Sequence, residues 1–70
     1  MPEAGRLEVE ATVLEALPNA LFRVELRTES RPRLVAHLSS PALLRLLPGD
    51  AVRVEVSAYD ANRGRIVGRA

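Results

Sequence analysis

The sequence predicts an all-β fold, a small five-stranded barrel, and three observations support this prediction. Apolar and polar residues alternate with a period of two in several segments, as in strands with one buried and one exposed face. Short polar breaks rich in Pro, Asn, Ser, Gly and Asp separate these segments. A chain of 70 residues supports a single small core, so we expect one domain over residues 1–70.

The first two predicted strands form a hairpin. Residues 7–14 alternate strictly, and the stretch ALPNA (residues 16–20) contains Pro and Asn, which favour turns. The alternation resumes in LFRVELRT. The side chains predicted to point inward are Leu7, Val9, Ala11, Val13, Phe22, Val24 and Leu26.

A third strand and one short helix follow. The segment RLVAHL alternates again after the polar break ESRP. Its predicted inward side chains are Leu34, Ala36 and Leu38. Ser40 followed by Pro41 is typical of a helix start, and residues 42–47 (ALLRLL) show no alternation. We therefore predict a short helix between strands three and four, ended by PGD.

The last two strands complete the predicted barrel. AVRVEVS alternates with its valines inward, YDANRG (residues 59–64) is predicted as a loop, and RIVGR as a brief fifth strand. Three antiparallel strands, a helix and two more strands is the element order of the OB-fold, a partly open Greek-key barrel. A five-stranded SH3-like barrel is the main alternative. The predicted helix favours the OB-fold, because SH3-like barrels normally lack a helix at this point.

The composition argues against catalysis and metal binding. The chain has no Cys, and its one histidine, His37, has no Ser or Asp partner apparent in the sequence. No Gly-rich loop that could cradle a phosphate is present. We therefore expect a protein that is not an enzyme and that needs no cofactor or metal. No apolar run approaches the roughly 20 residues needed to cross a membrane, so we also expect a soluble cytoplasmic protein.

Positive charge is predicted to gather on one outer face. OB-folds usually bind ligands on the outer face of strands two and three and in the loops joining strands one to two and four to five. Every cation is an arginine, whose planar fork suits phosphate, although a GC-rich coding sequence would give the same composition. The candidate binding residues from the strands and from the predicted loop are Arg23, Arg27, Arg33, His37, Tyr59, Arg63, Arg65 and Arg69.

Several of these residues have a purely structural alternative. Arg23 and Arg27 could pair with Glu25 or with the acidic first strand, and such exposed pairs contribute about 0 to 1 kcal/mol. A single histidine is more often a surface residue than a ligand. Tyr59 could stack on a base or cap the end of the barrel. No acidic residue follows Asp60 to oppose Arg63, Arg65 and Arg69, so phosphate contact is the preferred interpretation there.

Four motifs resemble bacterial translation initiation factor one, in the order of that family and over most of the chain. They are EATVLEALPNALFRVEL, AHLS, LLPGDAVRVEV and YDANRGRIV. The pattern L-P-N-x-x-F-R-V-x-L within the first motif is quite specific. Together with Gly64, Arg65 and Ile66 it makes the resemblance strong.

The resemblance implies an OB-fold that binds the small ribosomal subunit at the decoding (A) site. We expect a monomer, although the leucines of the predicted helix leave weak self-association open. It implies contacts to 16S ribosomal RNA and to a neighbouring ribosomal protein, exclusion of elongator transfer RNA, and cooperation with initiation factors two and three. Arg45, Arg63, Arg65 and Arg69 fall where the family has basic residues, and His37 falls on the family's histidine.

The chain departs from the family in ways that predict weaker RNA affinity. The usual basic run after AHLS is replaced by the uncharged SPAL, which leaves only Arg45 in that region. Either Arg27, Arg31 and Arg33 compensate for the missing basic residues, or the chain is a divergent relative that keeps the barrel and has lost the family's function. Two other functions remain open: a protein-interaction module using the leucines of PALLRLL, and a general single-strand binder similar to cold-shock domains, which the scarcity of aromatic residues disfavours.

Overall fold

Five strands form a closed β-barrel in a computed structural model, which describes residues 6–39, 45–57 and 60–70. The strands are β1 (Arg6–Leu17), β2 (Leu21–Leu26), β3 (Arg33–Leu38), β4 (Ala51–Ser57) and β5 (Asp60–Arg69). They follow one another in the order β1-β2-β3-β5-β4, and β4 closes the barrel against β1. β3 and β5 are parallel, whereas the other neighbours are antiparallel. The predicted all-β barrel is confirmed, and it matches an OB-fold.

The predicted short helix is not supported. Residues 40–44 lie outside the described part of the chain, and Arg45 to Leu47 form a turn and irregular backbone. The Leu47 N–H donates to Asp50 Oδ2 at 2.8 Å, and the Asp50 N–H donates to the Leu47 carbonyl at 3.0 Å. Asp50 thus closes a turn in which Gly49 has a φ of 95°, a conformation that favours glycine. No helix among the described residues is long and apolar enough to cross a membrane.

Alternation decides which side chains fill the barrel. The buried apolar residues are Ala11, Val13, Phe22, Val24, Leu26, Leu34, Ala36, Leu46, Val52, Val54 and Ile66. Val9, Leu38 and Val56 pack against them. The prediction that Leu7 points inward with this set is wrong, because Leu7 is 62% exposed. The reason is that β1 pairs only with β4 before Ala11, so β2 does not cover Leu7.

The first hairpin turn is shorter than the sequence predicts. Ala16 and Leu17 belong to β1 and pair with β2, which leaves only residues 18–20 for the turn. Asn19 and Ala20 adopt left-handed φ values of 64° and 58°. Asparagine tolerates this conformation, whereas alanine does so at a cost, because its Cβ approaches the following carbonyl oxygen.

β5 begins at Asp60, within the predicted loop of residues 59–64. Arg63 and Gly64 pair with β3, and Gly64 also pairs with Val56 of β4. Pairing on both sides satisfies the backbone of a segment whose residues favour turns, so tertiary context overrides local propensity. A Cβ on Gly64 would lie 2.6 Å from Val54 Cγ1, which means that only glycine lets β5 come this close.

Candidate nucleic-acid interface

The register of three strands brings four of the predicted site residues together. β3 lies between β2 and β5, and Val35 of β3 pairs with Arg23 on one side and with Arg63 on the other. His37, two residues further along β3, pairs with Arg65. We call the outer surface formed by Arg23, Val35, His37, Arg63 and Arg65 the β3 face.

A cleft of about 270 Å³ opens on the β5 side of the β3 face. It is lined by His37, Glu55, Val56, Ser57, Arg63, Gly64 and Arg65. One imidazole, two guanidinium groups and one carboxylate therefore meet at the cleft. Guanidinium groups and imidazole can donate hydrogen bonds to an anion, whereas the carboxylate accepts them.

Arg23 is paired across the first hairpin. Its Nη1 donates to Glu15 Oε2 at 2.9 Å, and the two side chains are 46% and 51% exposed. This contact agrees with the structural alternative in which the acidic first strand neutralises Arg23. Because the pair is half exposed, it contributes only about 0 to 1 kcal/mol to stability, and the guanidinium keeps further N–H donors for a phosphate.

Arg65 is held more tightly than Arg23. It pairs with Glu55 directly across β4 and β5, and its Nη2 donates to Glu55 Oε1 at 2.8 Å. Its Nε is buried and has no hydrogen-bond partner among the described residues. The expectation that no acidic residue opposes Arg65 is therefore wrong. Glu55 lies ten positions away in the sequence but directly opposite in the sheet.

Arg69 also has an acidic neighbour that the sequence did not indicate. Its Nη1 lies 3.7 Å from Asp50 Oδ2, at the end of β5 remote from the cleft. Arg69 pairs with Val52 rather than with β3, so it does not belong to the β3 face. The expectation of unopposed charge at Arg69 is wrong for the same reason as at Arg65.

Arg63 differs from its neighbours on the β3 face. Among the described side chains, no carboxylate lies within 4.0 Å of Arg63 or of Arg45. Arg63 is exposed, borders the cleft and stands beside Val35. Arg45 lies in the connection between β3 and β4, apart from the three strands that form the β3 face.

The arginines of the β2–β3 hairpin are partly neutralised. Glu25 forms ion pairs with two of them, with Arg33 Nε at 3.5 Å and Arg31 Nη1 at 3.7 Å, and Arg27 Nη1 lies 3.9 Å from Glu10. Arg33 points to the same side of β3 as Val35 and His37 and so extends the β3 face. Arg27 lies just beyond the end of β2.

Sequence reasoning gave the acidic first strand as one alternative partner for Arg23 and Arg27, but it did not identify which carboxylates pair with them, and it missed Glu55 opposite Arg65. Glu15 and Glu55 take up two of the four cationic or imidazole groups on the β3 face. No signal in a single sequence could identify these pairs, because they depend on cross-strand register. Tyr59, the aromatic candidate for stacking, lies outside the described residues.

The fold and the β3 face together define a small OB-fold barrel that carries arginines on the outer side of β2, β3 and β5. No family model matches the chain. The solution structure of translation initiation factor one from the Wolbachia endosymbiont strain TRS of Brugia malayi is similar, with a TM-score of 0.71 and 38% sequence identity. The match covers 96% of this chain and 80% of that chain.

At this identity and coverage, the chain belongs to the translation initiation factor one family, and the resemblance seen in the motifs is confirmed. Membership of this family supports a role as a translation initiation factor.

Proposed function

We propose that this initiation factor binds the small ribosomal subunit at the decoding (A) site through contacts to 16S ribosomal RNA. In this proposal it also touches a neighbouring ribosomal protein and acts with initiation factors two and three. It works in the cytoplasm as a monomer and catalyses no reaction. Membership of the translation initiation factor one family supports this function as a whole.

The observation that carries the proposal at the level of residues is the position of Arg63. Its guanidinium is exposed and has no carboxylate within 4.0 Å among the described side chains. It pairs with Val35 of β3 and lines the cleft together with His37. A guanidinium presents up to five N–H donors in a planar fork that matches phosphate, so Arg63 is the principal phosphate contact in this proposal.

Arg33, which extends the β3 face, takes part in a different way from Arg63. Its Nε lies 3.5 Å from Glu25 Oε2 and its side chain is 69% exposed, so the ion pair is weak and the carboxylate is replaceable. Contact with RNA exchanges that carboxylate for a phosphate. The net gain per arginine is then smaller than for Arg63, and the salt dependence of binding is lower than a simple count of arginines implies.

A second candidate function is a divergent OB-fold module that has lost ribosome binding and acts on other partners. The observation that favours it is charge neutralisation. Seven arginines of the described residues lie within 4.0 Å of a carboxylate. Such a module would bind general single-stranded RNA or a protein partner.

Binding to isolated small ribosomal subunits across a range of salt concentrations tests the proposal. We expect tight binding to subunits, weak binding to a single-stranded RNA oligonucleotide, and protection of decoding-site RNA from chemical probes. Arg63→Gln should lower the slope of log affinity against log salt by about 0.7 to 0.9, the value for one phosphate contact. The matched control is Arg53→Gln, which removes the same charge from β4 outside the β3 face and should leave the slope nearly unchanged.

Two results would contradict the proposal. Equal affinity for subunits and for the oligonucleotide would favour the general RNA-binding module. Binding that is insensitive to salt and leaves the decoding site unprotected would favour a protein-interaction module.

A further inference from the structure

A β-bulge in β1 places Glu15 opposite Arg23. Val13 pairs with Val24, and the next pair along these strands joins Glu15 to Arg23, so Leu14 is an extra residue in β1. Without this extra residue, the alternation would place Leu14 opposite Arg23 and turn Glu15 towards the interior. Bulges commonly re-aim a side chain beside a binding surface. The bulge therefore determines which side chain Arg23 meets.

The resulting ion pair biases the direction of Arg23 and contributes little to the stability of the barrel. Arg23 Nη1 donates to Glu15 Oε2 at 2.9 Å, with both side chains about half exposed. The contact favours one orientation of a long side chain that has many rotamers. A ligand that binds Arg23 then has less conformational entropy to remove. The rest of the guanidinium fork remains available for a phosphate.

The direction of Arg23 matters because Arg63 lies on the other side of Val35. The ion pair draws Arg23 towards β1 and away from β5, so the two guanidinium groups stay apart. We propose that Glu15 is a positioning residue for RNA recognition. It keeps Arg23 at a set separation from Arg63, so that both guanidinium groups reach phosphates of one docked RNA. This inference rests on the proposed function and adds to it the residue that arranges the site.

If charge alone mattered, removal of Glu15 would have the opposite effect on RNA binding. Removing a carboxylate close to a phosphate site lowers repulsion and should tighten binding. Glu8 provides the matched control, because it lies on the same strand and pairs with Arg53 at 3.3 Å with similar exposure. Arg53 lies outside the β3 face. Glu8→Ala therefore reports the effect of charge alone.

The test measures binding to isolated small subunits over a range of salt concentrations, together with thermal unfolding. We expect Glu15→Ala to bind roughly 3- to 10-fold more weakly, with the salt slope lower by about 0.7 to 0.9. Glu8→Ala should bind as tightly as the wild type or more tightly. Glu15→Gln keeps an acceptor oxygen and should restore most of the affinity. In an Arg23→Gln background, Glu15→Ala should cause no further loss.

The possible failures are distinguishable. If the wild type binds subunits selectively but Glu15→Ala binds equally well or better, the inference about Glu15 is overturned and the proposed function stands. A further loss from Glu15→Ala in the Arg23→Gln background would also overturn it, since Glu15 would then act independently of Arg23. A large fall in melting temperature without rescue by Glu15→Gln would assign Glu15 a structural role. If the wild type shows no selective binding, the proposed function and the inference fail together.

Discussion

The inner and outer faces of β5 differ in what limits each side chain. On the inner face, Gly64 and Ile66 are buried, and a Cβ on Gly64 would meet Val54 at 2.6 Å. On the outer face, Arg63 and Arg65 reach water, and only Arg65 has a carboxylate within 4.0 Å among the described side chains. Steric contact therefore limits which residue fits on the inner face of β5. On the outer face, ion pairing determines whether an arginine is free to bind a ligand.

The comparison shows how one strand separates stability from binding. The inner residues hold β5 close to β3 and β4, and that close approach sets where the outer arginines stand. Substitutions on the inner face should lower stability, whereas substitutions on the outer face should change ligand affinity at nearly constant stability. Three predictions test this division, and one concerns the turn between β1 and β2.

The largest expected effect is at Ile66, which is fully buried. Ile66→Ala should lower the free energy of unfolding by about 2 to 5 kcal/mol, because it removes buried methyl groups and leaves a cavity. Ile66→Val should cost about 0.5 to 1.5 kcal/mol. Urea unfolding followed by circular dichroism measures both values. An equally large loss in the free energy of unfolding for Val67→Ala, at the partly buried neighbouring position, would contradict the larger contribution assigned to the inner face.

Gly64→Ala should lower the free energy of unfolding by about 1 to 3 kcal/mol, since the added methyl group overlaps Val54 and Leu34. Gly68 provides the control on the same strand. A Cβ there would meet only the end of the Arg53 side chain at 3.7 Å. Gly68→Ala should therefore be neutral or stabilise by about 0.4 to 1 kcal/mol. Equal effects at the two glycines would refute the steric argument.

The turn between β1 and β2 offers a stabilising substitution. Ala20 has a φ of 58°, and Ala20→Gly should raise the free energy of unfolding by about 0.5 to 1 kcal/mol by relieving the left-handed strain. Ala51→Gly in β4 should have the opposite sign, because an ordinary strand position gains nothing from glycine. Differential scanning calorimetry would register both shifts. A lower melting temperature for Ala20→Gly would contradict the interpretation of strain.

The smallest effects are expected for the outer arginines. Arg63→Gln should change the free energy of unfolding by less than about 0.5 kcal/mol, as for most surface substitutions. Arg65→Gln breaks the 2.8 Å contact with Glu55 and should cost up to about 1 kcal/mol. Chemical unfolding at low and high salt would separate the two, since screening weakens only the pair. If Arg63→Gln destabilises more than Arg65→Gln, Arg63 has a structural role.

The alternation in the sequence was sufficient to predict the strands and most of the core. Phe22, Val24, Val52 and Val54 are buried as predicted. Period-two alternation predicts the core here because every strand of a small barrel has one solvent-exposed face and one buried face. The prediction was wrong where local propensity and tertiary pairing disagree, as at the start of β5. There, turn-favouring residues become a strand because Asp60 pairs with Ser57 of β4 and Gly64 pairs with both β3 and β4.

The candidate site was predicted less completely than the fold. The sequence identified Arg23, His37, Arg63 and Arg65 as outward groups, and the register of β3 brings them together. It did not identify which carboxylates oppose them. Those partners are separated by eight and ten positions along the chain, and only the pairing of strands places them side by side.

The sequence by itself determined the barrel, its apolar interior and the family, because periodicity and motifs are local properties that are visible in the order of the residues. Only the tertiary structure decided which of the described arginines are neutralised and which are not. Ion pairs form between neighbouring strands, and register and bulges place those neighbours, so their identity depends on the closed barrel as a whole.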